Sequence, residues 1–160
     1  MPGIINKKIL KVEQQIVAQP HSREAEEAIL GCVLIKSELF GEVKEFIPKR
    51  EVFYYDTSQI VWDKMKSLAK NHKEIDPISI LAILDKEEKT KVTGYYLTGL
   101  CANIATTATI QTYCNIVLEK YLQRELIAAT YKIQKSAFEN NEEFDSLLKF
   151  IKKTTAELTS

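Results

Sequence analysis

A run of thirty residues without glycine or proline, 110–139, constrains this chain more than any other stretch of its sequence. Because glycine and proline are the residues that most often interrupt helices, the run predicts one helix about 45 Å long at about 1.5 Å per residue. A short polar stretch, 139–142, separates it from a second helical pattern at about 143–158. Helices joined by so short a turn must lie antiparallel, which predicts a long helical hairpin.

The second half of the long helix carries two apolar stripes when successive residues are placed about 100° apart. One stripe is Leu126, Ala129, Ile133 and Ala137, and the other is Ile127, Tyr131 and Phe138. The last helix has one narrow seam, Phe144, Leu147, Leu148, Ile151 and Leu158, and can cover only one stripe. We expect the other stripe to be buried against another chain; the alternative is that the head folds back over it. The predicted interface residues are Leu126, Ile127, Tyr131, Ile133, Phe138, Leu147, Leu148 and Ile151.

The preceding residues predict a head of shorter helices. Ser22 is a good N-cap for the first of them, and Gly31 in its middle indicates that another backbone comes close. Trp62 lies on the buried side of a helix predicted at about 57–71. Gly31 and Trp62 are therefore predicted helix-packing residues. Further helices are expected at 37–46, 78–84 and 94–103, with a loop at 85–93. The fold class is all-α: a compact helical head followed by a long antiparallel helical hairpin.

Three segments follow from these patterns: an N-terminal arm at 1–20, the head at 21–108 and the hairpin at 109–160. In the arm, apolar side chains recur at helical spacing before Pro20, namely Ile5, Ile9, Val12 and Ile16. The arm is either an amphipathic helix or flexible when it is alone.

The charges balance, with 22 Lys and Arg against 22 Asp and Glu. Strong nucleic-acid binding and attachment to anionic membranes both need an excess of cations, so neither is expected. Without a signal-peptide core or an apolar run of membrane-spanning length, the expected compartment is the cytoplasm. The three cysteines lie within apolar patterns and are expected to be buried, reduced thiols.

The sequence lacks the residue patterns that catalysis requires. Gly94 and Gly99 have the spacing of a phosphate loop, but Leu100 and Cys101 stand where a lysine and a hydroxyl must follow. His21 and His72 are far apart and have no partner at metal-ligand spacing. We therefore predict no catalytic, cofactor-binding or metal-binding residue, and no enzymatic activity. The pairs at 54–55 and 95–96 are expected to be half-buried tyrosine rings.

Four groups of residues, in order, resemble the N-terminal domain of the bacterial replicative DNA helicases of DnaB type. They are PHSREAEEAILG at 20–31, Phe53-Tyr54 with Trp62 and Met65, Gly94-x-Tyr96-Leu97-x-x-Leu100, and Ile110-x-x-Tyr113-x-x-Ile116-Val117 followed by Arg124. The resemblance covers about residues 20–158. Ser58 departs from it, since the family often has histidine there, and so does Pro77.

The resemblance implies a function without chemistry of its own. In the family, N-terminal domains pair through their hairpins and form a trimer-of-dimers collar on a hexameric ring, where primase and in some systems a helicase loader engage. ATP hydrolysis and DNA unwinding belong to a domain outside this sequence. The chain is therefore expected to be a non-catalytic oligomerisation and partner-docking domain of a replicative DNA helicase.

Two other functions remain open. One is a freestanding helicase modulator from a phage or mobile element, and a reading frame that continued past Ser160 into a phosphate-loop motif would exclude it. The other is a small helical DNA-binding protein, which predicts salt-sensitive binding to single strands.

Overall fold

The computed structural model describes residues 18–139 and 143–159, and the elements within these ranges are all helical. The predictions for the arm before residue 18 and for the turn at 140–142 lie outside the described residues. The predicted all-α fold, a helical head followed by a hairpin, is confirmed. Its elements are α1 (Arg23–Ile35), α2 (Leu39–Phe46), a 3-10 turn (Arg50–Val52), α3 (Asp56–Lys70), α4 (Pro77–Ile83), α5 (Glu88–Lys91), α6 (Gly94–Ala102), α7 (Ile110–Glu139) and α8 (Phe144–Thr159).

Helix α1 is the central element of the head and packs against both α6 and α7. It begins where predicted, because the hydroxyl of Ser22 accepts a hydrogen bond from the amide of Ala25 at 3.3 Å. A Cβ atom at Gly31 would collide with the carbonyl oxygen of Leu100 and would lie 2.7 Å from Cγ1 of Ile104. Only glycine therefore allows the end of α6 to come this close to α1.

Trp62 is fully buried and joins three parts of the head. Its ring lies 5.1 Å from the ring of Phe40 on α2 and 5.7 Å from that of Phe53, between centroids. Both pairs are tilted, a geometry that aromatic quadrupoles favour. The single tryptophan thus fixes α2 and the segment before α3 against α3.

The prediction of a loop at 85–93 was wrong, because this segment contains α5. Asp85 accepts hydrogen bonds from the amides of Glu87 and Glu88, both at 2.9 Å, and the carboxylate of Glu88 accepts from the amide of Asp85 at 2.9 Å. Asp85 and Glu88 thus bind each other's backbone amides, in the manner of a capping box, across the turn that leads into the one-turn helix. Lys64 of α3 holds Glu88 through an ion pair of 2.7 Å.

The prediction of half-buried rings at 95–96 was wrong for Tyr95, which is 90% exposed. Helix α6 packs on α4 at its first residue, Gly94, whose Cβ position would lie 3.3 Å from Leu81, and its residue Leu97 is buried in the core. That contact turns position 95 toward solvent, whereas Tyr96 is half-buried.

The core of the head continues into the first half of α7. Four side chains there are buried in the same hydrophobic cluster as those of α1, namely Ile110, Cys114, Val117 and Tyr121. The core thus extends past residue 108, where the sequence predicts the boundary between head and hairpin. The head is complete only with about the first three turns of α7.

A candidate protein–protein interface on the helical hairpin

Arg124 fixes the root of the hairpin to the head. Its guanidinium donates to the carbonyl oxygens of Pro20 at 2.8 Å, Val52 at 2.9 Å and Glu51 at 3.2 Å. The same group lies 5.7 Å from the centroid of the Tyr121 ring, one turn earlier on α7. One side chain thereby ties the long helix to the 3-10 turn and to the segment that enters α1.

Glu26 is a buried carboxylate beneath this root, with 1% of its surface exposed. It accepts hydrogen bonds from the amides of Tyr54 at 2.6 Å and Tyr55 at 3.3 Å, which precede α3. Burial raises the pKa of the Glu26 carboxyl, and these amide donors oppose the shift. Glu26 lies in the first turn of α1, where a glutamate side chain is usually exposed. Its spacing from the buried Leu30 and Val33 was the signal that it belongs to the core face.

The two helices of the hairpin meet along a seam with a cleft on one side. The cleft is lined by Glu125, Ala128, Ala129 and Lys132 of α7 and by Phe150, Lys153 and Thr154 of α8. These residues fix how each helix is rotated about its axis. On each helix, the apolar residues about 60–100° round the helix axis from these cleft residues therefore lie on the side of the hairpin opposite the cleft.

That opposite side, which we call the side face, consists of Leu126, Ile133, Phe144, Leu148 and Ile151. Leu126, Phe144 and Leu148 are 39–70% exposed, and the two isoleucines are half-buried. Both helices contribute, so the side face is a continuous apolar strip along the hairpin. An exposed apolar surface of this kind is typical of protein–protein contacts.

A second apolar surface lies on the far side of α7 from α8. It consists of Ile127, Tyr131 and Phe138, which are 44–58% exposed and which we call the outer stripe. These residues recur at 4 and 7 positions and so share one face of the helix. The outer stripe begins one turn after Arg124, on the same face of α7.

The structure thus divides the eight predicted interface residues among three places. The side face holds four of them, namely Leu126, Ile133, Leu148 and Ile151. The outer stripe holds Ile127, Tyr131 and Phe138, and Leu147 is half-buried in the seam. That these residues form an interface stays a prediction.

Helix α8 was predicted to cover only one of the two stripes of α7, and it covers that stripe only in part. Ala129 is buried, but Leu126 and Ala137 are exposed. Ala129 is the buried member of that stripe and the cleft lies on its Ala128 side, so the Leu126 edge of the stripe stays open. Phe144, which was assigned to the seam, is exposed for the same reason. The side chain of Leu158 lies outside the described residues.

The three cysteines are free thiols in apolar surroundings. Burial raises the pKa of Cys32 and Cys101, and it raises that of Cys114 to about 12. Thiols with raised pKa values are poor nucleophiles at neutral pH. Within residues 18–139 and 143–159, no group of three or more His, Cys, Asp or Glu is placed to hold a metal ion. The same residues contain no helix long and apolar enough to cross a membrane.

Residues 18–119 match the family model of the DnaB-like helicase N terminal domain. The replicative DNA helicases DnaB of Buchnera aphidicola and Geobacillus stearothermophilus are 28% and 29% identical to the chain over 141 and 131 residues. These alignments cover 87% and 81% of this chain but only 30% and 29% of the relatives. The chain therefore spans less than a third of the length of these relatives.

Solved structures match over the hairpin as well. The N-terminal domain of DnaB helicase from Mycobacterium tuberculosis superposes with a TM-score of 0.76 at 22% identity, over 88% of this chain and 99% of that one. A DnaB-like replicative helicase, from a structure that also describes its interactions with primase, gives 0.70 at 25% identity, over 83% of this chain and 31% of that one.

The helical head and the hairpin therefore have the fold of a DnaB helicase N-terminal domain. Since the family model covers more than half of the sequence, the chain belongs to the DnaB-like helicase N-terminal domain family.

Proposed function

We propose that this chain is the oligomerisation and partner-docking domain of a replicative DNA helicase. The observation that carries the proposal is the side face, where two helices together leave large apolar side chains exposed. Burial of such side chains contributes roughly 1.5–3 kcal/mol each. In a two-fold symmetric pair, the side faces of two copies would contact each other. Each apolar side chain would then be buried in both copies and would contribute twice to the free energy of pairing.

The relatives support the proposal that this pairing takes place in a replicative DNA helicase. They are replicative DNA helicases, and the chain corresponds to less than a third of their length. We place ATP hydrolysis and DNA unwinding outside this domain, in the remainder of a longer cytoplasmic protein. Paired hairpins would then set the spacing of protomers in a hexameric ring built as a trimer of dimers.

Primase is the partner that we propose for the outer surface of this assembly. The supporting observation is the relative of similar fold that was solved in a study of its interactions with primase. A helicase loader is a second partner of the same surface. The balanced charge, 22 against 22, argues against DNA as the ligand of this domain, since phosphate binding needs a cation excess.

The pairing is tested by Leu148→Asp, which puts a charge on the side face. A buried, unpaired charge is strongly unfavourable in an apolar interface, so the variant should stay monomeric at concentrations where the parent chain pairs. Sedimentation equilibrium over a concentration series measures this. Ser146→Asp is the matched control, because it adds the same charge at an exposed position on the other side of α8.

Loss of pairing in Leu148→Asp but not in Ser146→Asp supports the proposal. Equal pairing in both variants contradicts it, as does a parent chain that is monomeric at the highest concentration reached.

A further inference from the structure

The stretch from Val92 to Leu118 contains no charged residue, although 28% of the chain is charged. It includes α6, the connection between α6 and α7, and the first turns of α7. Burial does not account for all of it, because the part at 102–109, which we call the uncharged face, is largely exposed. Its exposed members are Ala102, Asn103, Ala105, Thr106, Ala108 and Thr109.

An exposed surface without charges is unusual for a solvated loop. Charged side chains are normally found on the protein surface, whereas the centre of a protein–protein interface is depleted of them. The composition of the uncharged face is therefore typical of a surface that a partner protein covers.

The uncharged face is held firmly against α1. The carbonyl oxygen of Leu100 and the side chain of Ile104 meet α1 at Gly31, where a Cβ atom would not fit. Further along, the thiol of Cys32 donates to the carbonyl oxygen of Thr106 at 3.9 Å. A surface that is already formed needs little reorganisation when a partner binds, so less of the binding free energy is lost.

A cavity lies on each side of the uncharged face. The first, of about 340 Å³, lies between this face and α1. Its apolar lining consists of Ala28, Leu100, Ile104 and Tyr113. The second, of about 470 Å³, lies between the face and α2 and includes Leu39 and Ile110, and Thr106 lines both cavities. Side chains of a partner that fill such pockets contribute most of the affinity of an interface.

The charges at the edge of the first cavity are acidic. Glu24 and Glu27 of α1 are the charged residues that line it. Glu27 is paired with Arg23 at 3.6 Å, and among the described residues no cation pairs with Glu24. At the second cavity, Lys36 and Glu42 offset each other. The surface therefore favours a partner with a cation at its edge and disfavours nucleic acid.

We propose that the uncharged face and its two cavities are the docking site for primase, and that primase presents there a segment with an uncharged, largely apolar centre and a lysine or arginine beside Glu24. The inference rests on the proposed function, because it assigns a surface and a recognition chemistry to a partner proposed there.

A second copy of the same surface is a poor occupant. A two-fold contact between two uncharged faces would bring the carboxylates of Glu24 and Glu27 from both copies toward one another. The proposed pairing uses the side face, which begins at Leu126, about 20 Å further along α7 than Tyr113. Pairing of hairpins therefore does not need the docking site.

Ala105→Glu in the full chain tests the centre of the docking site. A charge buried there without a partner is unfavourable, so Kd for purified primase of the same organism should rise by about tenfold or more. Ala82→Glu is the matched control, because Ala82 is exposed on α4 and lines neither cavity. Biolayer interferometry measures Kd, and circular dichroism with thermal unfolding checks that both variants fold.

Glu24→Arg tests the cation at the edge. The reversed charge would face the cation of primase, so Kd should rise by about three- to tenfold, mainly through slower association. Glu24→Gln should shift Kd in the same direction by less. Glu74→Arg is the matched control, since it reverses an exposed charge between α3 and α4.

Weaker binding of primase by Ala105→Glu and Glu24→Arg, with unchanged binding by the two controls, is the expected result. Equal Kd values for Ala105→Glu and Ala82→Glu would overturn this inference and leave the docking function standing, whereas a parent chain that does not bind primase overturns both. Loss of self-association in Ala105→Glu, measured by sedimentation equilibrium, would identify a second copy as the occupant and would also overturn the inference.

Discussion

Glu26 is the residue on which the junction between α1 and α3 depends. Its carboxylate satisfies two backbone amides that would otherwise be buried without partners. A shorter side chain would leave both amides unsatisfied beneath the root of the hairpin. A raised pKa also means that the folded chain binds the Glu26 proton more tightly than the unfolded chain does.

Glu26→Gln is expected to change the pH dependence of stability. With a raised folded pKa, the contribution of Glu26 is full below the unfolded value of 4.5 and is lost as pH rises through the folded value. The free energy of unfolding of the parent chain, relative to Glu26→Gln, should therefore decrease as pH rises through this window. Urea unfolding of both proteins at several pH values measures it. The exposed Glu24→Gln is the control and should not reproduce this decrease.

Gly31→Ala should destabilise the head, because the added Cβ meets the backbone of Leu100. We expect the free energy of unfolding to fall by about 2 kcal/mol, the range of overpacking, despite the better helix propensity of alanine. Gly99→Ala is the matched control, since nothing lies within 4 Å of its Cβ position, and it should gain about 0.5–1 kcal/mol. Thermal or urea unfolding that ranks the two variants in the opposite order would refute this view of the α1–α6 contact.

Among the elements, α7 belongs to two parts of the molecule at once. Its first turns complete the core of the head, and its second half forms the hairpin with α8. Arg124 marks the change from one role to the other, because its three carbonyl partners lie in the 3-10 turn and in the segment that enters α1. The boundary between the head and the hairpin therefore lies within one continuous helix, and no linker separates the two parts.

A truncation series is expected to locate this division. A chain that ends at residue 108 loses Val117, Tyr121 and the other buried side chains of α7, and should not fold. A chain that ends after Glu125 keeps them together with Arg124, so it should fold as a monomer. Circular dichroism with thermal unfolding, combined with sedimentation, measures both properties. A folded, cooperative 1–108 fragment would contradict the shared core.

Local sequence signals predicted most of the elements, because helix ends depend on near neighbours. Ser22 caps α1 through its own side chain, as predicted, and Asp76 caps α4 in the same way. The rotation of α8 on α7 and the burial of Glu26 depend on contacts between distant segments. No single stretch of sequence shows these contacts: the spacing of Glu26 indicates the core face but not which amides it meets, and the exposed edge at Leu126 could not be predicted.

For the whole molecule, the equal numbers of charged residues agree with assembly through apolar surfaces. A strong net charge would make copies of the domain repel one another, whereas a net charge of zero removes that barrier. The charged residues of the hairpin do not interrupt the side face, whose members are all apolar.

Pairing should accordingly be insensitive to salt. Raising sodium chloride from about 0.1 to 0.5 M shortens the range of charge interactions but does not weaken apolar burial, so Kd should change by less than about threefold. Sedimentation equilibrium at the two salt concentrations measures the change. A drop in affinity of about tenfold or more would instead indicate that ion pairs hold the dimer together.

The uninterrupted backbone of α7 also has a mechanical consequence. From Arg124 to Glu139 the helix extends about 22 Å beyond its anchor, with no glycine or proline at which it could bend. A tilt of about 5° at the root would therefore move the tip by about 2 Å, with little lost to local flexing. The hairpin can thus act as a stiff lever, through which a small displacement at the carbonyls of Pro20 and Val52 becomes a larger one at the far end.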